Sequence, residues 1–385
     1  MPRVSDDPHD AGETAATTAE AVVDLNAIAH NTRLLRSAAA PAAMMAVVKA
    51  DGFGHGAAQV AQAALASGAT WLGVAHAAEA LALRKSGFTA PLLFWLPPPP
   101  DAVDAVLAAG IDVSVGSVSG LQAVADAAAR TGTVAGVHLK IDSGMSRGGA
   151  PAEVWGRLFT WTHQFQDAGL LIARGLWTHL ASAEETGSAA LHIQMNDFRT
   201  AIEAARAIGL SSVILHVANS AAALHTPQAR FDLVRPGLSL YGIEPVPGRT
   251  FGLRPAMTVR APVVLTKRVP AGTGVSFGPD YYTSRETTLA LVPLGFADGV
   301  PRRASNRGEF SIRGVRCRVA GRISMDQVVL DVGDLPVREG DTAVMFGPGA
   351  GGEPTVSEWA LWGDTTANEV LTRIGPRVTR RYLPL

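Results

Sequence analysis

The chain has 385 residues, 47% hydrophobic and 17% charged, which suits two domains with large buried cores. Lysine and arginine number 33 against 34 acidic residues, so a net charge of −1 offers no basic field to nucleic acid or to an anionic membrane surface. The single cysteine, Cys317, excludes an intrachain disulfide and a thiolate metal cluster and points to a reducing, cytoplasmic setting.

Residues 1–20 are rich in Asp, Thr and Ala and lack the basic start and apolar stretch of a signal peptide. They read as a disordered leader. From there to residue 252, short apolar runs alternate with longer Ala/Leu-rich stretches. Strands are expected at residues 44–49, 71–75, 92–96, 111–115, 137–142, 175–179, 213–217 and 233–235. Helical patterns lie between them, for example at 57–67, 77–86, 121–129 and 197–208. Fully apolar strands separated by helices argue for a parallel sheet, and eight such units suit a (β/α)8 TIM-type barrel over residues 21–252. A doubly wound open sheet shares that periodicity. No apolar run spans a bilayer; residues 91–96 are cut short by Pro97 to Pro100.

Pro245, Pro247 and Gly248 mark a boundary, after which the texture changes. Strand-like runs at 257–269, 287–294, 310–319, 328–332 and 342–346, separated by Gly, Pro and Asp, predict a mostly β C-terminal domain over 253–385.

The first strand of the expected barrel runs into Lys49-Ala50-Asp51-Gly52-Phe53-Gly54-His55-Gly56. A lysine at the carboxyl end of a barrel strand points into the mouth where such folds keep their chemistry. Partial desolvation lowers the pKa of such an amine and suits it to attack an aldehyde, although a solvated strand-end lysine is the commoner case.

Six further stretches follow in order: Leu139-Lys140-Ile141-Asp142-Ser143-Gly144-Met145-Ser146-Arg147, Trp177-Thr178-His179, His216-Val217-Ala218-Asn219-Ser220-Ala221, Val234-Arg235-Pro236-Gly237-Leu238, Val275-Ser276-Phe277-Gly278, and Gly321-Arg322-Ile323-Ser324-Met325-Asp326-Gln327. With the lysine octapeptide they resemble the motifs of the alanine racemases, fold-type III enzymes that use pyridoxal 5'-phosphate (PLP). The resemblance runs from about residue 21 to the C-terminus.

The resemblance implies Lys49 as the residue joined to the cofactor aldehyde. Ser220 and the backbone at Gly237 and Leu238 would cradle the phosphate, since hydroxyls and N–H groups are what a phosphate needs. Asn219 is a further cofactor candidate that also reads as a turn former. His179 would lie beneath the cofactor ring and Arg235 at its pyridine nitrogen. A guanidinium is a permanent donor, so the nitrogen beside it stays unprotonated and the ring is a weaker electron sink. Arg147 would face the substrate, held by Lys140 if that lysine carries a carbamate. Met325 and Asp326 resemble residues given across a homodimer interface to the partner's small amino-acid substrate.

Four positions depart from the family pattern by lacking a phenol: Phe53, Phe277, Phe296 and Asn368. Phe277 stands where the resemblance places the second catalytic base. Phe53 and Asn368 replace tyrosines near the phosphate, and Phe296 replaces one at the entry wall. The implied activity is racemisation at Cα of a small amino acid, most simply alanine, impaired or altered at the missing base. Tyr281 and Tyr282 are the nearest phenols that could substitute for it. One-face PLP chemistry and a non-catalytic PLP-binding homologue are the alternatives.

Overall fold

A computed structural model describes residues 18–185 and 187–385, so the expected leader lies outside the described residues except for its last positions. The chain divides into two compact units, one spanning Asp24–Ala256 with Leu383–Leu385, the other Met257–Tyr382 together with the segment ending at Val23.

After β1 (Glu20–Asp24) and the helix Leu25–Ala39 come eight strands in regular succession: β2 (Ala43–Val47), β3 (Trp71–Val74), β4 (Leu92–Phe94), β5 (Asp112–Val115), β6 (Ala135–Lys140), β7 (Leu171–Trp177), β8 (Ile214–His216) and β9 (Leu233–Val234). They form one parallel sheet in the order β8-β7-β6-β5-β4-β3-β2-β9. At the seam, Asp232 N–H donates to the Leu215 carbonyl at 3.1 Å and Arg235 N–H to that of Ala218 at 2.9 Å. These bonds bring the sheet to a nearly closed (β/α)8 barrel. Sequence drives this directly. Strands buried on both faces must be apolar, as Met44, Leu72, Phe94 and Val113 are, and the intervening helices bury Ala- and Leu-rich faces such as Val60, Ala63 and Ala64. Side-chain caps start several of them: Asp24 accepts from Asn26 and Ala27, Ser117 from Gly120.

The second unit is a nine-stranded sheet. It contains β10 (Met257–Pro262), β11 (Leu265–Val269), β12 (Thr287–Val292), β13 (Glu309–Ile312), β14 (Val315–Val319), β15 (Val328–Gly333), β16 (Thr342–Phe346) and β17 (Thr379–Leu383). Their order is β11-β12-β15-β14-β13-β16-β10-β1-β17. Three expectations need correction here. The run 257–269 is two strands that part at Val263 and Val264. The run 310–319 is a hairpin that turns at Arg313 and Gly314, both at positive φ. And residues 21–23, counted with the barrel from sequence, lie in β1 of this sheet: Glu20 meets the buried guanidinium of Arg260 at 2.7 Å while Ala21 and Val23 enter the core. Two short helices, Val356–Trp362 and Ala367–Arg373, were not expected from sequence; each starts at a threonine whose hydroxyl accepts from a glutamate N–H three residues on.

Candidate active site

β2 ends at Val47, and Lys49 opens a turn of unusual hand. Ala50, Asp51, Gly52 and Phe53 all lie in the left-handed region, with φ of 52°, 52°, 61° and 52°. Only the glycine adopts that conformation freely; each of the others costs about 1–2 kcal/mol. Three contacts hold the turn. Ala50 N–H donates to Glu79 Oε1 at 2.6 Å, and Ala57 N–H to Asp51 Oδ1 at 2.9 Å. The Tyr241 hydroxyl donates to the Val47 carbonyl at 2.9 Å while its ring packs on that of Phe53 at 4.6 Å. Glu79 Oε2 also accepts from Ala75 and His76, tying the Lys49 turn to the β3 loop. Strain overdetermined in this way is found at functional sites.

Around that turn the barrel gathers cations. Burial, then the charge of Arg147, lower the Lys49 ammonium below the usual lysine range. Burial, Arg147 and Arg235 do the same to Lys140. His179 is pushed down to about 3, by burial first and then by Arg235, Arg147, Lys49 and Lys140, so its imidazole is neutral near pH 7. Lys49, Lys140, Arg147 and Arg235 therefore act on one small volume. The face of Trp177 collects two of them, with Lys140 Nζ at 4.8 Å and Arg235 Cζ at 4.7 Å from its ring centre.

Arg235, just beyond β9, is almost fully buried yet bonds to no carboxylate among the described residues. It donates to the carbonyls of Thr178 at 2.8 Å and Val217 at 3.2 Å, and to His216 Nδ1 at 3.1 Å. Burial lowers its pKa to about 9, which still leaves it charged near neutrality. Ser220 Oγ accepts from the N–H groups of Gly237 and Ser239 at 3.1 and 3.2 Å, so these residues and Leu238 form one polar corner. Gly237 has little room for a side chain there: a Cβ would come within 3.1 Å of the Phe53 ring, which would have to shift. Asn219 caps the helix Ser220–His225 by accepting from Ala222 at 3.1 Å, the turn-forming role open to it from sequence.

Lys49, Phe53, Lys140, Arg147, His179, Asn219, Ser220, Arg235, Gly237 and Leu238 thus all belong to the barrel unit. The remaining candidates belong to the β unit. Phe277 is 71% exposed on a turn pinned by Ser276 Oγ, which donates to the Arg322 carbonyl at 2.6 Å. The carbonyls of Ser324 and Met325 accept from Phe296 and Ala297 at 3.0 Å, so Phe277 and Phe296 flank the single segment that carries Met325 and Asp326. Asp326 pairs with Arg377 at 2.7 Å. Asn368 is exposed on the last helix. Of the two phenols proposed as substitutes, Tyr281 is committed elsewhere: its hydroxyl donates to Asp331 at 2.6 Å, and burial and that carboxylate raise its pKa to about 12. Tyr282 is exposed. Sequence reasoning gave no role to Glu79, Trp177, His138 or Asp112. A glutamate three residues after the loop residue His76 is a capping signal that could have flagged the first.

Two family models match the chain, "Alanine racemase, N-terminal domain" over residues 23–245 and "Alanine racemase, C-terminal domain" over 256–382. The chain belongs to the alanine racemase family. Among curated alanine racemases, that of Frankia casuarinae is 49% identical over 367 residues, which cover 94% of this chain and 96% of that protein. The solved alanine racemase of the D-cycloserine producer Streptomyces lavendulae superposes with a TM-score of 0.93 at 43% identity, covering 97% of this chain and 98% of that one. The alanine racemase of Bartonella henselae, solved with covalently bound pyridoxal phosphate, is 28% identical with a TM-score of 0.87 over 95% of this chain and all of that one. Alanine racemases are PLP-dependent isomerases, and the barrel plus β unit is their architecture. No helix among the described residues is long and apolar enough to cross a membrane.

Proposed function

We propose that this chain is a PLP-dependent enzyme acting at Cα of a small amino acid, alanine first among them, with two-base racemisation curtailed by Phe277. The observation that carries it is that the charges of Lys49, Lys140, Arg147 and Arg235 all bear on His179, which burial and those charges keep neutral. Like charges gathered around one imidazole repel one another and call for anionic guests. A phosphate and a substrate carboxylate are such guests, and Ser220 with the backbone at Gly237 and Leu238 is a corner of the chemistry a phosphate takes. The donor set therefore fits the cofactor of the family.

PLP, when bound, supplies an aldehyde for an amine and an electron sink for Cα. The chain's own residues do the rest. Lys49, with its depressed pKa, holds a reactive amine at neutral pH and moves the proton at Cα on one face. Arg235 donates without surrendering a proton, which limits charge withdrawal into the ring. His179 stays uncharged and leaves the positive field to the anions. Arg147 orients the substrate carboxylate; Lys140 serves it best as a carbamate, because as an ammonium it opposes Arg147. Phe53 keeps the packing of a tyrosine but offers no hydroxyl. We take a cytoplasmic homodimer as the working assembly, in which Phe277, Phe296, Met325 and Asp326 serve the substrate side.

One observation favours chemistry on a single face over full racemisation. Phe277 cannot carry a proton, and the hydroxyl of Tyr281 is given to Asp331. Incubation with PLP and L- or D-alanine in D2O, followed by NMR and chiral chromatography, tests the reading. The expected result is Cα exchange from one enantiomer that outruns inversion. Inversion that keeps pace with exchange from both enantiomers would overturn the curtailment. No exchange and no cofactor uptake would overturn the enzyme reading itself.

A further inference from the structure

A line of polar side chains runs through the buried interior of the barrel, where packed aliphatic layers are the rule. Arg235 donates to His216 Nδ1 at 3.1 Å; His216 Nε2 lies 2.9 Å from His138 Nδ1; His138 Nε2 lies 3.4 Å from Asp112 Oδ2. Asp112 Oδ1 accepts from Arg174 Nε at 3.1 Å, and Arg174 is exposed. Both histidines are wholly buried. Two glycines leave the room they fill: a Cβ on Gly136 would run into Asp112, and one on Gly175 into His138. The ring of Trp177 lies parallel to that of His216, 5.6 Å away, and is fixed by its own bond to Ser114 at 3.1 Å.

The proton positions along this line have one consistent solution. A guanidinium cannot accept, so His216 Nδ1 must be the acceptor and its proton sits on Nε2. That proton points at His138 Nδ1, which must then be an acceptor too, leaving the His138 proton on Nε2 and directed at Asp112. A cation at either histidine would set two donors face to face. Burial, Arg235 and His138 all press His216 toward the neutral form, in keeping with this.

We propose that Asp112, His138 and His216 are positioning residues that fix Arg235 through a one-way hydrogen-bonded line and polarise its donation toward the ring nitrogen of the cofactor. The negative end at Asp112 pushes density onto the N–H donor that bonds it and so along the line to Arg235, as cooperative chains do in a low-dielectric interior. Lengthening or breaking the line at its far end therefore changes what Arg235 presents at the near end, although neither Asp112 nor His138 touches the reacting atoms. This rests on the reading of Arg235 as the residue that faces that nitrogen.

Long-range 1H–15N correlation spectra of the holoenzyme labelled at histidine test the line without any substitution. Both His138 and His216 should be neutral and protonated on Nε2; an Nδ1–H form or a cation at either overturns the proposal. Asp112→Asn and His138→Leu, loaded with ring-15N PLP, should shift the pyridine nitrogen resonance. They should also lower kcat on the order of 10-fold at unchanged KM, the size of effect typical of outer partners that orient a working group. His138→Gln, which can accept from His216 and donate to Asp112, should recover most of both. A pyridine resonance identical in parent and variants, with the cofactor bound to Lys49, overturns the line and leaves the proposed function standing. If no visible band of lysine-bound cofactor forms in the parent, both fall.

Discussion

Ala50, the residue after Lys49, gives its backbone N–H to the carboxylate of Glu79 at 2.6 Å, and the same carboxylate takes two more N–H groups from the β3 loop. The lysine is thereby aimed from the next strand-helix unit. A charged acceptor of this kind contributes about 1.5–3 kcal/mol. Glu79→Ala should lower Tm and weaken cofactor retention on dialysis, and Glu79→Gln should restore part of both. Melts and retention equal to the parent would show that the turn holds itself.

The depressed pKa of Lys49 has a testable sign. Arg147 disfavours the ammonium, so Arg147→Gln should raise the Lys49 pKa and reduce the free amine at pH 8. Mass-spectrometric rates of amine modification in the cofactor-free protein, taken across pH, should show Lys49 titrating below the usual lysine range in the parent and closer to it in the variant.

Phe277→Tyr restores an ionisable phenol on an exposed turn, where it displaces no core packing. A positioned acid–base group contributes about 10²–10⁴-fold, so inversion measured by chiral chromatography should rise within that range at little cost in stability. Tyr281→Phe should leave inversion unchanged and lower Tm, because the hydroxyl it removes serves Asp331. A loss of inversion in the second variant would make Tyr281 the missing base after all.

Acid should destabilise the barrel through its histidines. His179 titrates at about 3 in the folded chain and His216 is also held well below its usual value, so between about pH 6.5 and 3 the unfolded chain binds more protons. Stability is then complete above about 6.5 and falls with pH by about 1.4 kcal/mol per unit for each histidine that remains neutral. Urea unfolding of parent and His179→Asn across this window should give a shallower slope for the variant.

The barrel was legible in sequence because parallel strands buried on both faces must be apolar, and 71–74 or 92–94 could be little else. The strand break at Val263 was not, since Pro262 is the one turn-forming residue in the run 257–269. The two C-terminal helices are seven residues each, too short for a periodic signal, and only their Thr and Glu caps mark them. Lys49, Arg235 and Ser220 could be named from motifs, but the line behind Arg235 could not. Its members stand 19, 78 and 26 residues apart, and a lone histidine such as His138 inside an apolar strand gives no hint of its partners.

The pairing of β1 with β10 makes the β unit discontinuous along the chain. Glu20 and Arg260 are 240 residues apart, so during synthesis β1 leaves the ribosome long before its partner and must wait, unpaired, while the whole barrel emerges between them. β1 also lies between β10 and β17. A truncation starting at residue 24 would therefore keep every barrel strand yet open a slot in the other sheet with a bare edge on each side, and such edges recruit other chains. The first strand acts as a keystone for a domain encoded almost entirely at the other end of the gene.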